Sequence, residues 1–330
     1  MSDATSKDKK NDDLKICDDY KRNTKSKLSN AGYNTPRELA FSTVMDLAEK
    51  LKVSQHEAEV YNAWALQKLG ESHVLPLTFS SASDNYLSKK NLQKLTTGSN
   101  ALDKLLGGGI EFEAITQIYG PSGSGKTQFS YSLCVEIQQH SEQDGIEGKA
   151  ILVDTENKFT SERIAEIAHC RMLYKERVLK NIVIVKTVNS IHLEEVISKI
   201  PNLIEEDNKI KIVIIDTIIN HYRQEFTGRQ SLPERQSRLG RVMGQLQKIA
   251  QLYKIAVLIT NQVSTSGDSY SRDKHVPAGG NVLTHSTKHL IYFDKLGINF
   301  LAKVVNSPSL QKEEIRFSID KSGVTDPPVK

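Results

Sequence analysis

Three cysteines, Cys17, Cys134 and Cys170, are all the chain has, and no two of them form a CxxC pair. That scarcity excludes a thiolate zinc module and a disulfide framework, and it predicts a reducing compartment. Long apolar runs are missing as well. The longest, such as "KIVIIDTII", are far too short to span a bilayer, and "MSDATSKDKKNDDLK" has no apolar centre of the kind a secretory signal needs. The expected setting is intracellular, cytoplasmic and nucleoid-associated if the source is prokaryotic, with no membrane partner. Charge of one sign is not in excess: 44 basic residues face 40 acidic ones, so any nucleic acid has to be met by local clusters rather than by a basic whole. Internal repeats and low-complexity tracts are absent.

What is present divides into four stretches. Residues 1–15 are charged, small and unpatterned, the composition of a disordered tail. Residues 16–70 read as a small helical domain in which Thr35, Ser42 and Ser54 each cap a helix and Gly70 ends the last. Residues 71–95 gather Ser, Pro and Asn and lose periodicity, as a linker does. Residues 96–326 carry short Ile- and Val-rich runs ("AITQIY", "KAILVD", "NIVIVK", "IKIVIID", "IAVLIT", "LIYFD") alternating with helical stretches. This predicts an α/β fold with a central, mostly parallel twisted sheet covered on both faces. Between two of these runs Leu239, Val242, Met243, Leu246, Ile249, Ala250 and Tyr253 recur at helical spacing and form one apolar stripe.

"GPSGSGKTQ" follows a predicted strand and opens a predicted helix, which is the context a phosphate-binding loop requires. Gly120, Pro121, Ser122, Gly123, Ser124 and Gly125 supply a loop whose backbone N–H groups can face phosphate oxygens. Lys126 then reaches the terminal phosphates, Thr127 binds Mg²⁺, and Gln128 continues into the helix. The pattern predicts a P-loop that holds ATP. Asp216 ends the buried run "IKIVIID", where ligands sit in open α/β sheets, and is the second Mg²⁺ candidate. Glu156, beyond Asp154 on the run "KAILVDTE", is the candidate to activate water, with a helix-capping role as the alternative. Asn261 and Gln262 end the run "IAVLIT" at the same sheet edge, where they can sense the terminal phosphate or simply form a turn.

"TTGSNALDKLLGGGI", "GPSGSGKTQ", "VDTE", "IIDT", "FTGRQSLPERQ", "AVLITNQV", "PAGGNVLTHST" and "NSPSL" occur in the order seen in the RadA-type recombinases, the archaeal and eukaryotic branch of the RecA superfamily. From about Leu95 to about Asp326 the chain resembles that family, and the helical stretch before it does so more loosely. The resemblance implies a RecA-like ATPase core that forms a helical filament or ring on single-stranded DNA and pairs it with double-stranded DNA. It implies catalytic roles for Glu156, Lys126 and Gln262 in DNA-dependent ATP hydrolysis. A first DNA loop is implied at Phe226 to Glu234 with Arg229 and Arg235, and a second at Ser264 to Gly280 with Arg272, Lys274, Gly279 and Gly280. Arg163 matches the adenine-stacking arginine, and Pro308 belongs to a cap that closes over ATP from the next subunit. Phe79 and Ala82 resemble the F-x-x-A element by which one subunit docks on another.

Several positions depart from the family pattern. No glycine precedes Gly32 where a helix–hairpin–helix is expected, although Lys21, Arg22, Lys25 and Lys27 offer charge instead. Asn157 stands where a glycine normally follows the glutamate. Around the cap Asn306 and Lys312 replace acids and Gln311 replaces a proline, and Asp294 lies in a usually basic region. Two readings follow: a filament-forming recombinase, or a paralogue that acts as a mediator for one, with further mediator proteins as partners.

Overall fold

The computed structural model describes residues 22–71, 81–90, 93–139, 146–265 and 275–328. They fall into two compact units divided between Lys90 and Asn91. In the first unit, helices α1 (Arg22–Asn30), α2 (Pro36–Phe41), α3 (Val44–Leu51) and α4 (Gln55–Glu71) follow one another through short turns. Thr35 starts α2 with a reciprocal capping box: its hydroxyl accepts the Glu38 N–H at 3.2 Å, and the Glu38 carboxylate accepts the Thr35 N–H at 2.9 Å. Leu28, Leu39, Leu47, Leu51, Ala58, Ala65 and Leu69 are buried. The Asn62 amide donates to the carbonyls of Leu39 and Ser42, fixing α4 across the end of α2.

Three expectations for this unit are corrected. Ser42 does not cap α3. Its N–H closes α2 on Glu38, and the adjacent Thr43 accepts the Asp46 N–H instead, because only one of the two can occupy the cap. Gly70 does not end α4, which continues through it to Glu71. The stretch read as a linker without periodicity contains helix α5 (Ala82–Lys90), begun by Ser81 and Asp84, each accepting the other's N–H.

In the second unit the described strands form one mixed sheet. Strands β1 (Ile115–Gly120), β2 (Lys149–Asp154), β3 (Ile182–Lys186), β4 (Ile210–Asp216), β5 (Ala256–Thr265) and β7 (His289–Leu296) run parallel, in the order β7-β1-β5-β4-β2-β3. Strands β8 (Asn299–Asn306), β9 (Glu314–Asp320) and β10 (Gly323–Thr325) extend it antiparallel beyond β7. The short β6 (His275–Pro277) folds back on the end of β5. Strand β1 is buried along its whole length, Thr116 and Gln117 included, because strands flank it on both sides and helices cover the sheet.

Helices connect the parallel strands: α6 (Asn100–Leu105) precedes β1, α7 (Lys126–Glu136) follows it, and α8 (Ser161–Cys170) and α9 (Lys175–Lys180) link β2 to β3. Helix α10 (Ser190–Glu206) leads to β4, and α11 (Asn220–Glu225) with α12 (Leu232–Tyr253) leads to β5, while α13 (Asn281–His285) lies before β7. Helix α12 buries the predicted stripe with one exception. Leu252 is buried in place of Tyr253, whose ring is half-exposed and whose hydroxyl donates to Glu205 at 2.8 Å.

Candidate functional site

The loop between β1 and α7 is shaped by close approach. An added Cβ on Gly120 would lie 2.1 Å from the Phe293 carbonyl oxygen on neighbouring β7, so no side chain fits there. Gly125 takes φ +89°, at the start of α7, and a Cβ there would strike the Ile319 side chain at 2.6 Å. The loop therefore delivers the first turn of α7, with its unpaired N–H groups, to the carboxyl edge of the sheet. A cavity of about 430 Å³ opens there, lined by residues 120–128 together with Glu156, Lys158, Gln262 and Phe300.

Lys126 is buried, and its ammonium donates to the carbonyls of Gly120 (2.9 Å) and Pro121 (2.8 Å) and to Ser124 Oγ (3.2 Å). Burial pushes its pKa down, while the charges of Asp216 and Glu156 oppose that shift. Asp216 ends β4 in register with Asp154 on β2. Burial raises its pKa, against the hydrogen bonds it accepts from Thr260 and Thr127. The Thr127 hydroxyl and Asp216 carboxylate thus form a pair of hard oxygens beside the phosphate loop. This donor set fits Mg²⁺.

Glu156 lies just past β2. Although burial pushes its carboxyl upward, hydrogen bonds from Lys158 and Gln262 and the charge of Lys126 hold it below the usual range. Lys158 Nζ donates to Oε2 at 2.5 Å and Gln262 Nε2 to Oε1 at 2.9 Å. Asp154 is a turn residue by contrast: it accepts the N–H groups of Glu156 and Phe159. Between them Asn157 adopts φ +54°, a left-handed conformation that asparagine accepts more readily than most residues.

Gln262 reaches this cleft because β5 pairs with β1 in a register that sets Gln262 beside Gly120. Its carbonyl oxygen accepts from Arg223 Nη1 at 2.7 Å. Beyond it, β5 and β6 form the antiparallel base of the second predicted DNA loop. Arg223 and Lys158 are site residues that motif reading missed. Lys158 had no signal beyond its nearness to Glu156, and Arg223 was only a basic residue ahead of the first loop.

The predicted DNA residues are distributed as follows. Phe226 is buried, stacked on Tyr222 with the Arg238 guanidinium 5.3 Å from its ring centre, and Arg229 is exposed in the turn after it. The first loop is shorter than expected: α12 begins at Leu232, so Arg235 stands on its first turn, half-buried, its Nε without a partner among the described residues. Gly279 and Gly280 have φ +94° and +72°, and the Gly279 carbonyl accepts from Gln236 on α12 at 2.9 Å. The bases of the two loops therefore touch. Arg272 and Lys274 lie outside the described residues, as does Phe79; Ala82 is exposed on the first turn of α5.

Arg163 donates through Nε to Gln128 at 2.7 Å and through Nη1 to the Lys321 carbonyl at 3.1 Å, which holds the guanidinium beside the start of α7. Pro308 is placed differently. Strand β8 runs antiparallel to β7, so Asn299 lies at the phosphate-loop end and Asn306 at the other. Eight residues of strand set these ends about 23 Å apart. Pro308 therefore lies at the far end of β8 from this chain's own phosphate loop.

A family model described as Rad51 matches residues 88–327. The chain is 38% identical over 304 residues to the DNA repair and recombination protein RadA of Cenarchaeum symbiosum, covering 92% of this chain and 76% of that protein. It is 37% identical over 307 residues to the protein of the same name from Aeropyrum pernix, covering 92% and 93% of the two chains. A third relative of that name, from Metallosphaera sedula, is 35% identical over 302 residues, covering 91% of each.

Proposed function

The chain belongs to the Rad51 family, and on that premise we propose that it is a DNA-dependent ATPase that assembles on single-stranded DNA and drives homologous pairing and strand exchange with a duplex. The observation that carries this reading is the position of Gln262. One strand places it in register with Gly120 of the phosphate loop, against Glu156, and at the root of the second loop. A nucleotide site and a DNA loop built on the same strand are what coupling of hydrolysis to DNA requires.

The residues divide the work as follows. Backbone N–H groups at the start of α7 receive the phosphates, and Lys126 exchanges its carbonyl partners for their terminal oxygens. Thr127 and Asp216 would hold magnesium, which when bound supplies positive charge to offset that of the phosphates. Glu156, kept ionised by Lys158 and Gln262, accepts the proton of the attacking water. Arg163 offers a planar cation to the base, and Pro308 of an adjacent copy covers it. Arg229 and Arg235, with Arg272 and Lys274, neutralise DNA phosphates, while Gly279 and Gly280 give the backbone room at the loop base. Phe79 and Ala82 dock each copy on the next.

The recombination proteins among its relatives favour direct strand exchange over a mediator's part. The test is strand exchange by the purified chain alone, with ATP and Mg²⁺ and with Lys126→Ala as blank. Exchange above the blank is expected. DNA binding without exchange would return the chain to the mediator reading.

A further inference from the structure

A buried polar chain lies outside the nucleotide cleft. His289, the first residue of β7, is 4% exposed. Its Nε2 is 2.9 Å from Glu111 Oε2, and its Nδ1 is 2.9 Å from Ser307 Oγ. The other Glu111 oxygen accepts from Lys288. Carboxylate, imidazole and hydroxyl in a row have the order of a hydrolytic triad, but this hydroxyl is not free to attack. Ser307 Oγ accepts the N–H of Leu310 at 2.9 Å and that of Ser309 at 3.2 Å.

A serine hydroxyl has two lone pairs and one hydrogen. With both lone pairs engaged by amides, only the hydrogen is left, and it points to Nδ1. That nitrogen therefore accepts, the imidazole proton sits on Nε2, and Nε2 donates to Glu111. Burial alone would push the Glu111 carboxyl upward, but the bonds from His289 and Lys288, with the ammonium charge of Lys288, pull it down to about 2, so it is an ionised acceptor at neutral pH. The hydrogen bonds run in one direction from the backbone of residues 309–310 to Glu111.

The segment so held is the turn after β8. Leu310 packs against the core at one end of it, while Asn306, Pro308 and Ser309 are exposed. Without the Ser307 bonds, the turn keeps its apolar contact at Leu310, its pairing at Asn306 and the backbone bond between Val304 and Glu313, but it loses the side-chain acceptor that gathers residues 307–310 around Pro308. We propose that His289 is a positioning residue for the nucleotide cap: through Ser307 it fixes the turn that presents Pro308 to a nucleotide bound by a neighbouring copy. This rests on the recombinase reading above, in which Pro308 caps ATP from an adjacent subunit.

Because the cap acts on another copy's nucleotide, the test is complementation between two variants. His289→Phe keeps an intact phosphate loop but a loosened cap; Glu156→Gln keeps an intact cap and phosphate loop but cannot activate water. Alone, His289→Phe is expected to raise the KM for ATP in DNA-stimulated hydrolysis about tenfold, the loss of one or two buried hydrogen bonds. Mixed with a large excess of Glu156→Gln, each His289→Phe copy faces an intact cap, and the KM returns to within about twofold of the wild-type value. Ser307→Ala should behave in the same way, and Ser307→Thr, which keeps the hydroxyl, should need no rescue. If His289→Phe does not fold, Ser307→Ala carries the test. Wild-type hydrolysis without rescue of either variant overturns the positioning role and leaves the recombinase reading standing. Absence of DNA-stimulated hydrolysis in the wild type overturns both.

Discussion

Gln262 holds Glu156 across the cleft: its amide nitrogen donates to Glu156 Oε1 at 2.9 Å while its oxygen accepts from Arg223 at 2.7 Å. A single amide thus joins the carboxylate that faces the phosphate loop to a cation on α11, the helix that leads into the first proposed DNA loop. The amide can serve both neighbours at once because it is a donor at one end and an acceptor at the other. A carboxylate or an amine at position 262 could satisfy only one of them.

Gln262→Ala removes one of the two side-chain bonds to Glu156 and leaves the phosphate loop intact. The kcat of DNA-stimulated hydrolysis is expected to fall about 10- to 100-fold, with the KM for ATP changed less than about threefold, since the contact orients the base rather than the nucleotide. Steady-state kinetics with and without single-stranded DNA read both quantities. An unchanged kcat would remove Gln262 from the reaction.

Arg223→Ala cuts the link on the other side. Basal hydrolysis should survive, because Glu156 keeps both of its own bonds, whereas stimulation by DNA should drop at least about fivefold if α11 transmits the state of the first loop through this contact. The ratio of stimulated to basal rate is the measurement. A ratio equal to that of the wild type would show that coupling bypasses Arg223.

Much of this was legible in the sequence because it is local. The strand runs, the phosphate loop and the face of α12 each depend on residues within a few positions of one another, and Asp216 stands at a strand end, whereas Glu156, two residues past one, could equally have been read as a helix cap. The Ser81–Asp84 pair that starts α5 was equally local, but it was hidden in a Ser- and Asn-rich stretch whose composition suggests a linker. Arg223 meets Gln262 across 39 positions and Glu111 meets His289 across 178. Such pairs depend on which strands become neighbours, here β5 and β7 on either side of β1, and no spacing rule along the chain encodes that order.

The proposed DNA loops make a separate prediction about salt. If Arg229 and Arg235 each neutralise one phosphate, Arg229→Ala with Arg235→Ala should weaken single-strand binding and also flatten its dependence on salt. The slope of log K against log salt should fall by about 1.4, roughly 0.7 for each phosphate no longer neutralised. Binding titrations at several salt concentrations measure it. Weaker binding with an unchanged slope would mean that the arginines shape the loop base, where Gln236 meets Gly279, rather than touch phosphate.

Glu111 ties stability to pH, and the sign follows from its depressed carboxyl. Its pKa of about 2 in the fold lies below the ordinary 4.5, so the fold binds the ionised form more tightly than the unfolded chain does. The stabilisation is fully present above about pH 4.5, where the unfolded chain is also ionised, and it is lost as the pH falls toward 2. Each tenfold loss of proton affinity on folding is worth about 1.4 kcal/mol, which makes the whole effect on the order of 3–4 kcal/mol. Glu111→Gln discards that ionisation while keeping an oxygen that can accept from His289. Urea unfolding of the two proteins should therefore show the variant less stable by roughly that amount at pH 7, with the gap closing steadily between about pH 5 and pH 2. A gap that stayed constant across this range would mean that the Lys288 and His289 bonds stabilise by geometry alone, without the charge on Glu111.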